Sequence, residues 1–92
     1  MYQIFPYSKR KAAALNVQIK PSTDPRKKID VFNRRGEYIT SIGARGYGDY
    51  PTYLYFYGKE YADKRRKLYK QRHEKDRHKR GTAGFYADRI LW

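Results

Sequence analysis

The sequence predicts an α+β protein: a small β-hairpin packed on a long basic helix, with short flanking helices. Three observations carry that expectation. In KKIDVFNRRGEYITSIG, two β-rich runs, Lys28 to Phe32 and Glu37 to Ile42, flank Asn33, Arg34, Arg35 and Gly36. A loop of that length with Gly last suits a type I turn followed by a left-handed residue, the common closure of a hairpin. Residues 59 to 80, KEYADKRRKLYKQRHEKDRHKR, are an uninterrupted polar stretch with eleven Lys or Arg against four Asp or Glu. No core can absorb such a run, so it reads as a helix facing water or something negative. Finally, Gly81 and Gly84 punctuate an apolar close, FYADRILW, long enough to fold back as one or two helical turns.

Taken in order, residues 1–27 form an N-terminal extended arm and residues 28–92 the compact hairpin-plus-helices domain. The arm mixes Ile4 and Phe5, a basic cluster (Lys9, Arg10, Lys11), an Ala-Ala-Ala-Leu segment and two prolines, Pro21 and Pro25, with no sustained period. Leu15, Val17 and Ile19 alternate with Asn16, Gln18 and Lys20, which fits a short strand, or an arm ordered by lying on another surface. A partly disordered tail is the competing reading. After the hairpin, GARGYGD packs Gly43, Gly46 and Gly48 into six positions and marks an irregular loop. Closely spaced glycines let a backbone approach a phosphate, but no Lys-Ser or Lys-Thr follows, so a plain turn is the simpler account.

Asp49 suits a helix N-cap and Pro51 the first turn behind it, with Gly58 ending that short helix. The main helix is expected from about Lys59 to about His78. Its buried stripe is narrow: Tyr61, Ala62, Arg65, Leu68, Tyr69 and Arg72. Twenty residues of helix reach about 30 Å, so Glu74 to Arg80 should project from so small a body. Trp92, after Ile90 and Leu91, should dock on the hairpin or on the main helix.

Composition bounds the function. A chain of 92 residues is one domain, and a domain that small buries only about two thirds of its unfolded surface. Eleven tyrosines suit half-buried positions and interfaces better than a dry interior. There is no cysteine, which removes both disulfides and thiolate zinc sites. No run approaches the roughly 20 apolar residues of a membrane span, and Met1 to Tyr7 lacks the regions of a signal peptide. A soluble, intracellular product without a membrane partner is expected.

The net charge of +13 points to a polyanion, because Lys and Arg gain affinity by neutralising phosphates and releasing counterions. The candidate polyanion-binding residues are Lys64, Arg65, Arg66, Lys67, Lys70, Arg72, Lys75 and Arg77, with Arg34 and Arg35 on the hairpin loop. A solvated basic helix, or one docked on an acidic protein, is the plainer alternative. Tyr61 and Tyr69 could stack on bases only off the core face, and their shared spacing with Leu68 argues against it. No helix-turn-helix, RNP-type sheet or zinc finger is present, so contact led by phosphates with little sequence preference is expected.

Catalysis finds no support. Glu60 and Asp63 precede Lys64 and Lys67 by four residues and serve helix pairs, and a carboxylate held beside Lys and Arg stays ionised. His73 and His78 are five residues apart, about 140° around a helix, which is wrong for a shared metal. The serines and threonines have no His with an orienting acid nearby. A non-enzyme with no cofactor and no metal is therefore expected.

Ser41-Ile42-Gly43, Gly46-Tyr47-Gly48-Asp49-Tyr50, RRKLYKQRHEK at Arg65 to Lys75 and GTAGFYADRILW at Gly81 to Trp92, in that order, resemble a group of small uncharacterised basic proteins of large nucleocytoplasmic double-stranded DNA viruses. The resemblance covers roughly residues 28–92. It implies a virion component, such as a minor capsid protein, whose basic face binds capsid proteins or genome within a larger assembly built inside the host cell. It also implies a structural use for Arg72 and His73, stacked against Trp92 and satisfied by the Gly81 to Gly84 backbone. A free nucleic-acid-binding protein and a ribosomal-type RNA scaffold protein share the same composition and stand as alternatives.

Overall fold

The computed structural model describes residues 1–92 and is α+β, as expected. The elements run α1 (Pro6–Ala14), β1 (Gln18–Pro21), β2 (Lys27–Phe32), β3 (Tyr38–Ala44), α2 (Tyr50–Tyr57), α3 (Lys59–Arg72) and α4 (Ala83–Leu91). The sheet is antiparallel in the order β1-β2-β3.

The hairpin β2–β3 forms where its turn chemistry puts it. Asn33 Oδ1 accepts the amides of Arg35 and Glu37 at 2.9 and 3.0 Å, and Gly36 takes φ +84. That left-handed conformation is cheap only without a Cβ. A register irregularity at Val31 and Phe32 accommodates the odd loop length.

The β2–β3 hairpin is two strands of a three-stranded sheet, with β2 at the centre. Residues 1–27 are not an extended arm but α1 followed by an edge strand. Pro6 opens α1 at a position where its missing N–H costs nothing, and Ala12 to Ala14 favour helix. Asn16, at φ +59, turns the chain into β1, whose Gln18 to Pro21 pair with Phe32 to Ile29. Tertiary contacts override the weak local signal. Ser8 Oγ donates to the Ile90 carbonyl at 2.9 Å, Tyr7 Oη to the Trp92 carbonyl at 3.0 Å and Tyr2 Oη to Asp49 at 2.8 Å.

Ile29, Val31 and Ile42 of the sheet pack with Ala12, Ala62, Tyr69, Ile90, Leu91 and Trp92 of the helices into one core. Polar groups knit the sheet as well. Asp30, on the central strand, accepts from Ser22 and Ser41 on either side, both at 2.6 Å, and from the Thr23 amide. Burial pushes the Asp30 carboxyl up, but those three donors outweigh it and hold it below the usual carboxylate range. A depressed folded-state value means stability that is complete above the unfolded carboxyl pKa and lost as pH falls through the folded one. Unfolding followed by circular dichroism should therefore show stability declining below about pH 4, with Asp30→Asn removing part of that decline. An unchanged acid limb in the variant would contradict it.

Asp49 caps α2, accepting the Thr52 amide at 3.0 Å, and Gly58 at φ +92 ends that helix and begins α3. The main helix stops at Arg72, short of the expected His78. Residues 73–82 instead turn back, with the Asp76 and Arg77 amides bonding to the His73 carbonyl and Gly81 at φ +83. The reversal brings α4 onto the core. A Cβ on Gly84 would sit 3.1 Å from the Asp76 carbonyl oxygen, a tight approach that Gly makes easy.

Candidate polyanion-binding face

The cations of α3 divide by what they touch. Arg66 lies over the Tyr50 ring, 4.0 Å from its centroid, and reaches Asp63 at 3.3 Å. Asp63 also receives Lys59 and the Tyr50 hydroxyl, both at 2.7 Å. The hydrogen bond from Lys59, then that from Tyr50, hold its carboxyl below the ordinary range. Asp63 thus pairs with Lys59 and Arg66, not with Lys67 as its spacing had suggested. Lys70 and Arg77 converge on Asp88, a carboxylate 1% exposed, at 2.8 and 3.6 Å, and Arg77 also meets Glu74 at 2.9 Å. Arg66, Lys70 and Arg77, all candidate polyanion contacts by sequence, hold α3 and its return segment to the rest of the protein.

Lys64, Lys67, Arg72 and Lys75 are exposed and make no ion pair. Arg65 is half-buried, stands 5.4 Å from the Tyr53 ring centroid, and has a buried Nε with no hydrogen-bond partner. Of the eight candidate cations from Lys64 to Arg77, these five are without an ion-pair partner. Arg34 and Arg35 are exposed at the hairpin tip, at the far end of β2 from Lys27. A six-residue strand puts them roughly 17 Å or more from that end, and it is the Lys27 end that shares a cleft with Arg65 and Arg72.

Beside the helix lies a cleft of about 800 Å³ bounded by the end of β3, the Gly-rich loop, α3 and α4. Lys27, Tyr47, Arg65, Arg72, His73 and Trp92 are among the residues lining it. Two of these glycines serve packing: a Cβ at Gly48 would fall 2.2 Å from the Tyr53 ring, and one at Gly43 2.7 Å from Leu91, whereas Gly46 stands in open space at φ +94. Those two shape the lip of the cleft. Asp76 is the acid among the lining groups, so its walls carry an excess of positive charge.

The expected stack of Arg72 and His73 on Trp92 is corrected in detail. Tyr69 stands between: its ring lies 4.3 Å from Trp92 at 10°, and His73 stacks on Tyr69 at 4.3 Å. Arg72 is exposed and makes no hydrogen bond to residues 81–84, whose Thr82 bonds to Lys79 instead. Of the expected buried stripe, Ala62 and Tyr69 are buried, whereas Tyr61 and Leu68 are 40% and 46% exposed. Spacing alone does not reveal that division, because Tyr61 and Tyr69 share theirs with residues of the same apparent face.

Fold and face together define a small α+β protein with a cationic helix edge and an adjoining cationic cleft. The chain matches no family model, no curated protein and no solved structure. No helix is long and apolar enough to cross a membrane.

Proposed function

We propose that this is a non-enzymatic structural protein that holds nucleic acid by phosphate-led contacts, and that it serves as a minor component of a virion of a double-stranded DNA virus. One observation carries the binding reading: Lys64, Lys67, Arg72 and Lys75 stand exposed and unpaired along α3 and its following turn, in a chain of net charge +13. The virion setting rests on the resemblance of residues 28–92 to basic proteins of such viruses.

The choice of cations matters to the test. Reversing Arg66 or Lys70 would break the contacts to Asp63 and Asp88 and confuse unfolding with lost affinity. Lys64, Lys67 and Lys75 can be changed to Glu together at little structural cost. If six phosphates are neutralised, wild-type affinity should fall by about three decades between 50 and 200 mM salt. The triple variant should bind at least tenfold more weakly, with a shallower salt slope and an unchanged melting temperature. Submicromolar binding at near-physiological salt supports the reading. Binding that vanishes there, or a variant that binds like wild type, would turn the basic face to an acidic protein surface such as a capsid partner.

A further inference from the structure

The open half of the α3 stripe has its own composition. Tyr61, Arg65, Leu68 and Arg72 recur at intervals of four, three and four residues and so lie along one line of the helix. Aromatic or aliphatic groups alternate there with guanidinium groups that have no ion-pair partner. At its C-terminal end the line borders a shallow depression of about 310 Å³ between Arg65, Leu68, Gln71, Arg72 and Trp92. At its N-terminal end it meets the corner between α2 and α3, where Tyr55, Phe56 and Tyr57 are 75%, 66% and 64% exposed. Tyr57 lies against Tyr61 with ring centroids 4.8 Å apart, so corner and line are continuous.

Three adjacent exposed rings are costly to leave in water, and such a patch marks a contact surface. Its surroundings select the occupant. A second copy would bring together two chains of +13 each, an unfavourable approach. A purely apolar partner would leave the Arg65 and Arg72 guanidinium groups unsatisfied. Duplex nucleic acid offers phosphates but keeps its base faces stacked inside. Single-stranded nucleic acid offers both phosphates for the cations and open base faces for the rings.

We propose that the Tyr61–Arg72 line and the α2–α3 corner form a track for single-stranded nucleic acid, with phosphates on Arg65 and Arg72 and bases against Phe56, Tyr57 and Tyr61. This deepens the phosphate-contact reading above and rests on it.

The test titrates the full chain against labelled 20-nucleotide oligo(dT) and oligo(U) and against a 10-base-pair duplex, which matches their phosphate number. The proteins are wild type, Phe56→Ala, Tyr57→Ala and the double variant. The single strands should bind at least tenfold more tightly than the duplex. Each ring removed should cost roughly five- to tenfold on the single strands and less than twofold on the duplex. Melting temperatures should be unchanged, because both rings are exposed. Equal affinity for strand and duplex, ring variants that bind the single strand like wild type, or equal losses on both ligands would each overturn the track. Absence of salt-sensitive binding to either ligand would instead overturn the phosphate-contact reading, and the track with it.

Discussion

Asp49→Ala should cost about 4 kcal/mol or more, much of the stability a domain of this size possesses. The Asp49 side chain is fully buried and accepts three donors: Lys28 Nζ and Tyr2 Oη, both at 2.8 Å, and the Thr52 amide at 3.0 Å. One carboxylate thus ties the N-terminal residues, the central strand and the start of α2. Removing it strands the Lys28 ammonium, itself 6% exposed, and breaking a buried pair from one side costs roughly 3–5 kcal/mol. Loss of the N-cap adds about 1 kcal/mol. Thermal unfolding should fall by on the order of 20 °C.

Removing both charges should behave differently. Asp49→Asn combined with Lys28→Met keeps an acceptor for Thr52 and leaves no ammonium to desolvate, so its melting temperature should lie well above that of Asp49→Ala. A single variant that melts within a few degrees of wild type would mean that Lys28 finds water or another acceptor, contrary to the geometry described.

Asp49 also shows where sequence reading succeeds and where it stops. Its role as an N-cap was legible, because a cap needs only residues within three positions and a following proline. Its pairing with Lys28 joins residues 21 positions apart and is set by how β2 and α2 pack. The same division holds elsewhere. Asn33 and Gly36 announced the hairpin turn and Gly58 a helix end, since each acts within a few residues of its own position; Gly81 instead lies in the return segment, well past the end of α3 at Arg72. β1 was one of several open readings, because Leu15 to Lys20 carry a short alternation that only the β2 edge turns into a strand.

The basic helix illustrates the harder case. A run of cations shows that something negative is needed, but not which cations already have it. Asp63 and Asp88 take Arg66, Lys70 and Arg77 out of the free set, and Asp88 comes from another element. The helix end moved from His78 to Arg72 for the same kind of reason. In the return segment that follows, Arg77 reaches Asp88 of α4 at 3.6 Å. Only the three-dimensional arrangement separates Lys64, Lys67, Arg72 and Lys75 as a surface, and only it leaves Tyr61 and Leu68 open beside them.

Tyr69→Ala should be the most damaging change in the helix, at about 3–5 kcal/mol. The Tyr69 ring is 9% exposed and lies between Trp92 and His73, with both centroids 4.3 Å away. Deleting it opens a void at the floor of the cleft and frees one face of the sole tryptophan. Trp92 emission should shift to the red in the folded variant at low temperature. Tyr69→Phe separates ring from hydroxyl. Burial, and next the Asp88 carboxylate, push the Tyr69 phenol up to about 12, but no hydrogen bond contributes, so Phe should be tolerated within about 0.5 kcal/mol. The pH dependence has a definite sign. A folded-state value above the ordinary 10 means a contribution complete below pH 10 and lost as pH rises from about 10 to about 12. Wild type should therefore lose more stability across that window than Tyr69→Phe, whose absorbance titration should lack the step near pH 12. If Tyr69→Ala left both the melting temperature and the Trp92 emission unchanged, the stack would not be what joins α3 to α4, and the cleft beside it would have to be held open by the Asp88 ion pairs alone.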